Sequence, residues 1–225
     1  MIKTNLAVLM AERGLKISDI YEATGISKTT LMAISDNTGK GIQYETMDRL
    51  CNYLGVTPNE FFVYFPYSVT FTPSVKYDEF DNGFYINCLL KKESWEGSEE
   101  IQFSINKTDL INELLGYNKN LDKYDFSLYI ECSSLKNLFK KMPIQFKRSM
   151  ELEIIENIFN AINNTDISKF ENINSYDEAT ADFIKKLSSS KDSEYTAFVV
   201  LNFEDDNTSL METKVKIKKH KLLIK

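Results

Sequence analysis

The apolar residues of this chain change period part-way along it, and that change limits the folds open to it. Up to about residue 67 they recur every three to four positions. Leu6, Leu9 and Met10 form one such set, and Ile17, Ile20 and Ala23 a second. Leu31 and Ile34 follow, then Met47, Leu50, Cys51 and Leu54. From residue 84 they alternate instead, through Phe84, Ile86, Cys88 and Leu90, then Ile101, Phe103 and Ile105, then Phe126, Leu128, Ile130 and Cys132. The first spacing lines one face of a helix and the second one face of a strand. The chain therefore reads as α+β: an all-α five-helix unit over residues 1–67, then an α+β unit over 68–225 with a largely antiparallel sheet. Five of the eight glycines precede residue 56, which also separates two units of different composition.

Local signals set the expected boundaries. A first helix over 3–13 stops at Gly14. A fourth over 44–54 stops at Gly55. Thr57-Pro58-Asn59-Glu60 is a capping box with proline at the first helical position, opening a short fifth helix with Phe61 and Phe62 that Pro66 ends. Residues 64–73, YFPYSVTFTP, are aromatic and β-branched, so they are expected to pack rather than swing. In the second part, ESWEGSEE reads as a hairpin loop and Asp109–Leu115 as a helix ending at Gly116. Leu135, Leu138 and Phe139 mark a short amphipathic turn, and residues 148–163 a helix. Ser175 with Glu178 caps a further helix carrying Ala179, Phe183, Ile184 and Leu187. Residues 195–203, apolar on both faces, read as a central strand. Met211–Lys218 reads as a strand whose Lys214, Lys216 and Lys218 blunt a sheet edge or, with the lysines that follow, track a nucleic-acid backbone.

Residues 16–36, KISDIYEATGISKTTLMAISD, carry the strongest signal. Ile17, Ile20 and Ala23 stripe one helix. Gly25 supplies a turn position at which a positive φ is free of steric cost. Ile26 packs under the turn and Ser27 caps a second helix. With Leu31 and Ile34 turned inward, Lys28, Thr29, Met32 and Ala33 look outward. A helix with a buried stripe and short outer side chains suits entry into a DNA major groove.

This stretch resembles the helix-turn-helix of the Cro/phage-repressor (Xre) family. The resemblance runs over residues 2–65 and is carried by GISKTTL and NTGKGIQYETMDRLCNYLGVTPNEFF. It implies that Ser27, Lys28, Thr29, Met32 and Ala33 face bases and phosphates, and that Ser18 bonds a phosphate. It further implies double-stranded DNA as partner, at a palindromic operator occupied by a homodimer. One position departs from the family. Four residues before the turn glycine, where the helices cross closely and a small residue is usual, this chain has Tyr21. Either the helices splay or Tyr21 points past the crossing.

Composition narrows the remaining classes. The net charge is −6. Residues 1–67 hold six Lys/Arg against seven Asp/Glu, and the remainder 21 against 26. An almost neutral DNA-binding unit predicts weak non-specific affinity, because phosphate neutralisation supplies most of it. Lys3, Arg13, Lys16, Lys28 and Lys40 are candidates to cluster on one face. Cys51, Cys88 and Cys132 are far apart and flanked by apolar residues, as expected of buried thiols in a reducing cytoplasm. Apolar runs are too short for a membrane span. His220, the sole histidine, lies in a lysine-rich tail without ligands at metal spacing, and no cofactor motif is present. Ser149-Met150 resembles the nucleophile region of self-cleaving phage repressors. It lacks the Gly-Asp that precedes the serine there, and the chain contains neither Ala-Gly nor Cys-Gly, so it reads as a surface serine. Trp95 is a candidate partner-contact aromatic, or folds over the sheet edge. The expected function is non-enzymatic: a sequence-specific transcriptional regulator, an autoregulatory repressor from a phage or mobile element. The alternative is an anti-CRISPR-like inhibitor that binds a host CRISPR nuclease through residues 68–225 while residues 1–67 repress its promoter.

Overall fold

The computed structural model describes residues 1–78, 83–105, 108–116, 120–121, 123–165, 193–203, 208–218 and 221–224. The chain forms two compact units. One comprises Met1–Pro66 with Met142–Arg148, the other Tyr67–Lys141 with Ser149–Lys225.

The first unit opens with a strand, β1 (Ile2–Thr4), where a helix was expected from residue 3. Five helices follow: α1 (Leu6–Arg13), α2 (Ile17–Thr24), α3 (Lys28–Ser35), α4 (Tyr44–Leu54) and α5 (Pro58–Phe61). Phe62, expected in the fifth helix, instead opens strand β2 (Phe62–Tyr64). The reason is a distant pairing. Thr4 lies opposite Phe62, Lys3 opposite Val63 and Ile2 opposite Tyr64 in an antiparallel ribbon. The Asn5 N–H continues it to the Phe61 carbonyl at 2.7 Å. Leu6, Leu9, Ile20, Leu31, Leu50 and Phe61 fill one core between the helices. Truncating any of these leucines to alanine would cost about 2–5 kcal/mol.

Residues Met142–Arg148 complete this unit, and they include the start of a helix that belongs to the chain's second half. Phe146 is 1% exposed, with its ring 5.7 Å from that of Phe65. Lys3 donates from Nζ to the Gln145 carbonyl at 3.0 Å and lies over the Phe146 ring.

The second unit is built on an eight-stranded sheet. Its strands are β3 (Ser68–Phe71), β4 (Lys76–Asp78), β5 (Gly83–Lys92), β6 (Trp95–Ile105), β7 (Phe126–Glu131), β8 (Ser193–Asn202), β9 (Thr208–Lys218) and β10 (Lys221–Ile224). The order is β10-β9-β8-β7-β6-β5-β3, with β4 pairing the remaining part of the outer edge of β5. The β7–β8 pair is parallel and the other pairs are antiparallel. Parallel neighbours need a long crossover, which here includes α7 (Lys136–Lys141) and α8 (Ile144–Asn163). One sheet face meets α8, where Phe126 packs edge-on against Phe159 and Ser209 donates to Glu151 at 2.6 Å. The other face carries Tyr129, Phe198 and Val200, against which Ile111 and Leu115 of α6 (Thr108–Leu115) pack. Burial on both faces explains the unbroken apolar run Ala197–Leu201 of β8, which is central as its sequence implies.

Three further expectations change. ESWEGSEE is not a loop: Lys92 pairs with Trp95 across a two-residue turn, and Glu93 there has φ 53. Two of its acidic residues meet lysines across the strands, with Glu96 bonded to Lys91 and Glu100 to Lys76 at 2.8 Å. The strand bearing Lys214, Lys216 and Lys218 is not an edge, because β10 pairs along its outer side. Helix α8 begins at Ile144 rather than 148, since Pro143 ahead of it provides a start and Phe146 a buried anchor. Residues 64–73 pack as expected, with Phe65 and Val69 buried. Ser149-Met150 lies within α8, with Met150 buried. The helix expected after Ser175 with Glu178, and His220, lie outside the described residues. No helix among the described residues is long and apolar enough to cross a membrane.

Candidate nucleic-acid interface

Helix α2 opens on a local cap: the Lys16 N–H donates to the Asp19 carboxylate at 2.8 Å. Ser18 donates from Oγ to the other oxygen of that carboxylate at 3.3 Å. Gly25 closes the helix at φ 70, its N–H donating to the Tyr21 carbonyl at 2.9 Å. An added Cβ would be strained there whatever the space around it. Ile26 is buried beneath the turn.

Ser27 then caps α3. The Thr30 N–H donates to its Oγ at 3.1 Å, and the two hydroxyls lie 2.8 Å apart. Such a cap contributes about 1 kcal/mol. Leu31 is 0% exposed and Ile34 is buried, which fixes the rotation of the helix. Lys28, Thr29 and Met32 are consequently exposed, Met32 at 54%. Ala33 is half-buried, its carbonyl accepting the Thr38 N–H at 3.0 Å. Ser18, on α2, is half-buried. Five of the predicted residues thus share α3 and its cap. Trp95 is in the other unit, 52% exposed at the start of β6. Its indole lies over Gly97, where an added Cβ would fall 2.5 Å from the ring.

Tyr21 does not occupy the crossing of α2 and α3. It is 43% exposed, with the Lys28 ammonium 5.3 Å from its ring centroid. Four other cations of this unit have different surroundings. Arg13 pairs with Glu12. Arg49 of α4 bonds Glu45 at 2.5 Å and the Thr24 carbonyl at 3.4 Å, placing a cation at the C-terminus of α2. Lys3 and Lys40 line one groove of about 220 Å³ together with Ala33 and Asn37. Of the five cations expected on a single face, these two share a site.

Asn37 is a residue that sequence reasoning missed. It takes φ 55 at the end of α3 and reaches back to β1. Its Oδ1 accepts the Thr4 N–H at 2.6 Å and its Nδ2 donates to the Thr4 carbonyl at 3.2 Å. Thr4 returns a bond from Oγ1 to the Ile34 carbonyl at 2.6 Å. The amide thus stands where a further strand would pair, and ties the end of α3 to the ribbon. An asparagine after a helix, tolerant of a left-handed φ, was the available signal. The Thr57–Glu60 capping box forms as read. Two bonds from Thr57, at 2.7 and 2.8 Å, hold the Glu60 carboxyl below its ordinary range.

Residues 5–66 match the family model of the Cro/C1-type HTH DNA-binding domain. The rest of the chain matches no family model. No curated protein and no solved structure matches the chain.

Proposed function

We propose that this chain is a sequence-specific transcriptional regulator that binds double-stranded DNA through α3 and represses its own promoter. The observation that carries this reading is the outer row of α3. Lys28, Thr29 and Met32 stand exposed on a helix whose opposite side, Leu31 and Ile34, is locked in the core. Lys28 offers a cation to a guanine edge or phosphate, and Thr29 a methyl and hydroxyl to a base. Ala33, beside them, is small enough to let the groove floor approach. Ser27 holds the start of the helix, and Ser18 brings a hydroxyl to the phosphate side. The match of residues 5–66 to a DNA-binding family supports the same partner.

The unit is nearly neutral, so a single copy gains little from phosphate neutralisation. Two copies on half-sites one helical turn apart would supply the missing affinity. The reading therefore includes a homodimer on a palindromic operator, acting by occupancy that blocks polymerase, in a phage or mobile element. Full-length protein carrying Lys28→Ala with Thr29→Ala tests it in a gel shift against the chain's own promoter DNA. Each base contact contributes about 1–3 kcal/mol, so the double variant should bind at least roughly tenfold more weakly. An unchanged midpoint would remove α3 as the reading helix.

A further inference from the structure

We infer that Tyr21 is a positioning residue for DNA recognition, its ring holding the Lys28 ammonium at the start of α3 without neutralising it. The inference rests on the DNA-binding reading above and adds a residue to it. Position 21 lies four residues before the turn glycine, where a small side chain would let α2 and α3 approach. Ile20, wholly buried, supplies the inward contact of this turn of α2. The Tyr21 ring is therefore free to lie outside the core, and it lies under Lys28 at 5.3 Å.

The chemistry of the holder matters. Arg13 and Arg49 are each bonded to a carboxylate, which offsets their charge toward an approaching phosphate. A ring attracts a cation through its quadrupole and carries no net charge of its own. Lys28 is thus restrained by a neutral group and keeps its full attraction for a guanine edge or phosphate. Among residues 1–67, with seven acidic and six basic side chains, a cation that is both ordered and uncancelled is worth placing. A lysine has a flexible four-carbon stem, so restraint before binding reduces what must be ordered on the DNA.

The test uses the full chain and the DNA sequence it selects from a random duplex pool, with affinity read by fluorescence anisotropy over a salt series. Tyr21→Ala removes an exposed ring that is not part of the core and should keep the thermal midpoint. It should weaken binding roughly two- to fivefold. Tyr21→Phe keeps the ring and should bind within about twofold of the parent. In a Lys28→Ala background, Tyr21→Ala should cost nothing further, because there is no ammonium left to hold. Proton NMR provides a reading without DNA. The Lys28 ε-methylene resonance should sit upfield in the parent and in Tyr21→Phe, and should return toward its free value in Tyr21→Ala. A Tyr21→Ala loss that persists undiminished in the Lys28→Ala background would overturn the inference alone, as would a Tyr21→Phe variant as weak as Tyr21→Ala. A parent chain that selects no DNA sequence would overturn the functional reading and this inference with it.

Discussion

Gln145 donates from Nε2 to Oδ1 of Asn5 at 2.5 Å, joining residues 140 positions apart within one compact unit. The bond sits beside the Phe65–Phe146 ring pair and the Lys3 contact to the Gln145 carbonyl. The helix-turn-helix unit is therefore not a contiguous stretch of sequence: its β1 side is finished by Met142–Arg148.

Phe146→Ala in the full chain should destabilise the first unit by about 3–5 kcal/mol, the usual cost of emptying a buried phenylalanine site. Hydrogen exchange should show faster amides in α1 and α4. Gln145→Ala should have a smaller effect, about 1 kcal/mol, for one lost bond. Unchanged exchange in α1 and α4 of Phe146→Ala would contradict the assignment of this segment to the unit.

Asn37 does two jobs that substitution can separate. Asn37→Gly keeps the left-handed φ available and loses both bonds to Thr4, whereas Asn37→Ala loses the bonds and also strains the backbone. Each variant should lower stability in urea, by about 1–3 kcal/mol for Asn37→Gly, because the Thr4 backbone is left unpaired. Asn37→Ala should be lower by about a further 1 kcal/mol. Equal midpoints for the two would show that φ is not a constraint there.

The single tryptophan reports on its own packing. Gly97→Ala places a methyl where the indole now lies, so Trp95 must swing away from the strand. Its emission maximum should shift to the red. Because Trp95 is half exposed already, the accompanying loss of stability should stay within about 1 kcal/mol. An unmoved spectrum would mean that the ring accommodates the methyl without leaving.

The buried thiols predict a pH dependence of known sign. Burial is the main cause that pushes the Cys88 thiol up to about 12 from an ordinary value of 9.0, with Glu99 adding to it. Burial also raises Cys132 well above its ordinary value, with Glu131, Cys88 and Glu151 adding to the rise. A group raised on folding contributes fully below its unfolded pKa. That contribution fades as the pH climbs from about 9 toward 12, where the unfolded chain has released protons that the fold still holds. Denaturation midpoints should fall across that window and hold steady just below it. Native protein at pH 8 should resist alkylation at Cys88 and Cys132, and urea should open both.

What the sequence made legible was what short-range physics decides. Gly25, the Ser27 cap and the Thr57–Glu60 box each act within four residues, and each was readable where it stands. The exposed row of α3 followed from the same local period. Strands β1, β2, β3 and β4 were not readable. Three to four residues carry too little pattern, and their pairing depends on distant partners, as in Thr4 opposite Phe62. Glu96 and Glu100 of ESWEGSEE looked like loop because their partners, Lys91 and Lys76, lie on other strands. Tyr21 was recognised as anomalous, but its answer required Lys28 beside it in space. Asn37 offered only its tolerance of a left-handed φ, and its bonds to Thr4 span 33 positions.

The parallel seam between β7 and β8 sets a timetable for the growing chain. Thr196 donates to Asp125 across 71 positions, and β7 faces β6 on one side and β8 on the other. The β5–β6 hairpin can close as soon as its two-residue turn is made, and β7 can then join it. The second edge of β7 has no partner until the ribosome has supplied β8, roughly 4–14 s later at ordinary rates of synthesis. During that interval Phe126–Glu131 is an unpaired, apolar strand edge of the kind that recruits other nascent chains. Yield from a strongly translated message should therefore be limited by this window, and slower synthesis would lengthen the exposure rather than relieve it.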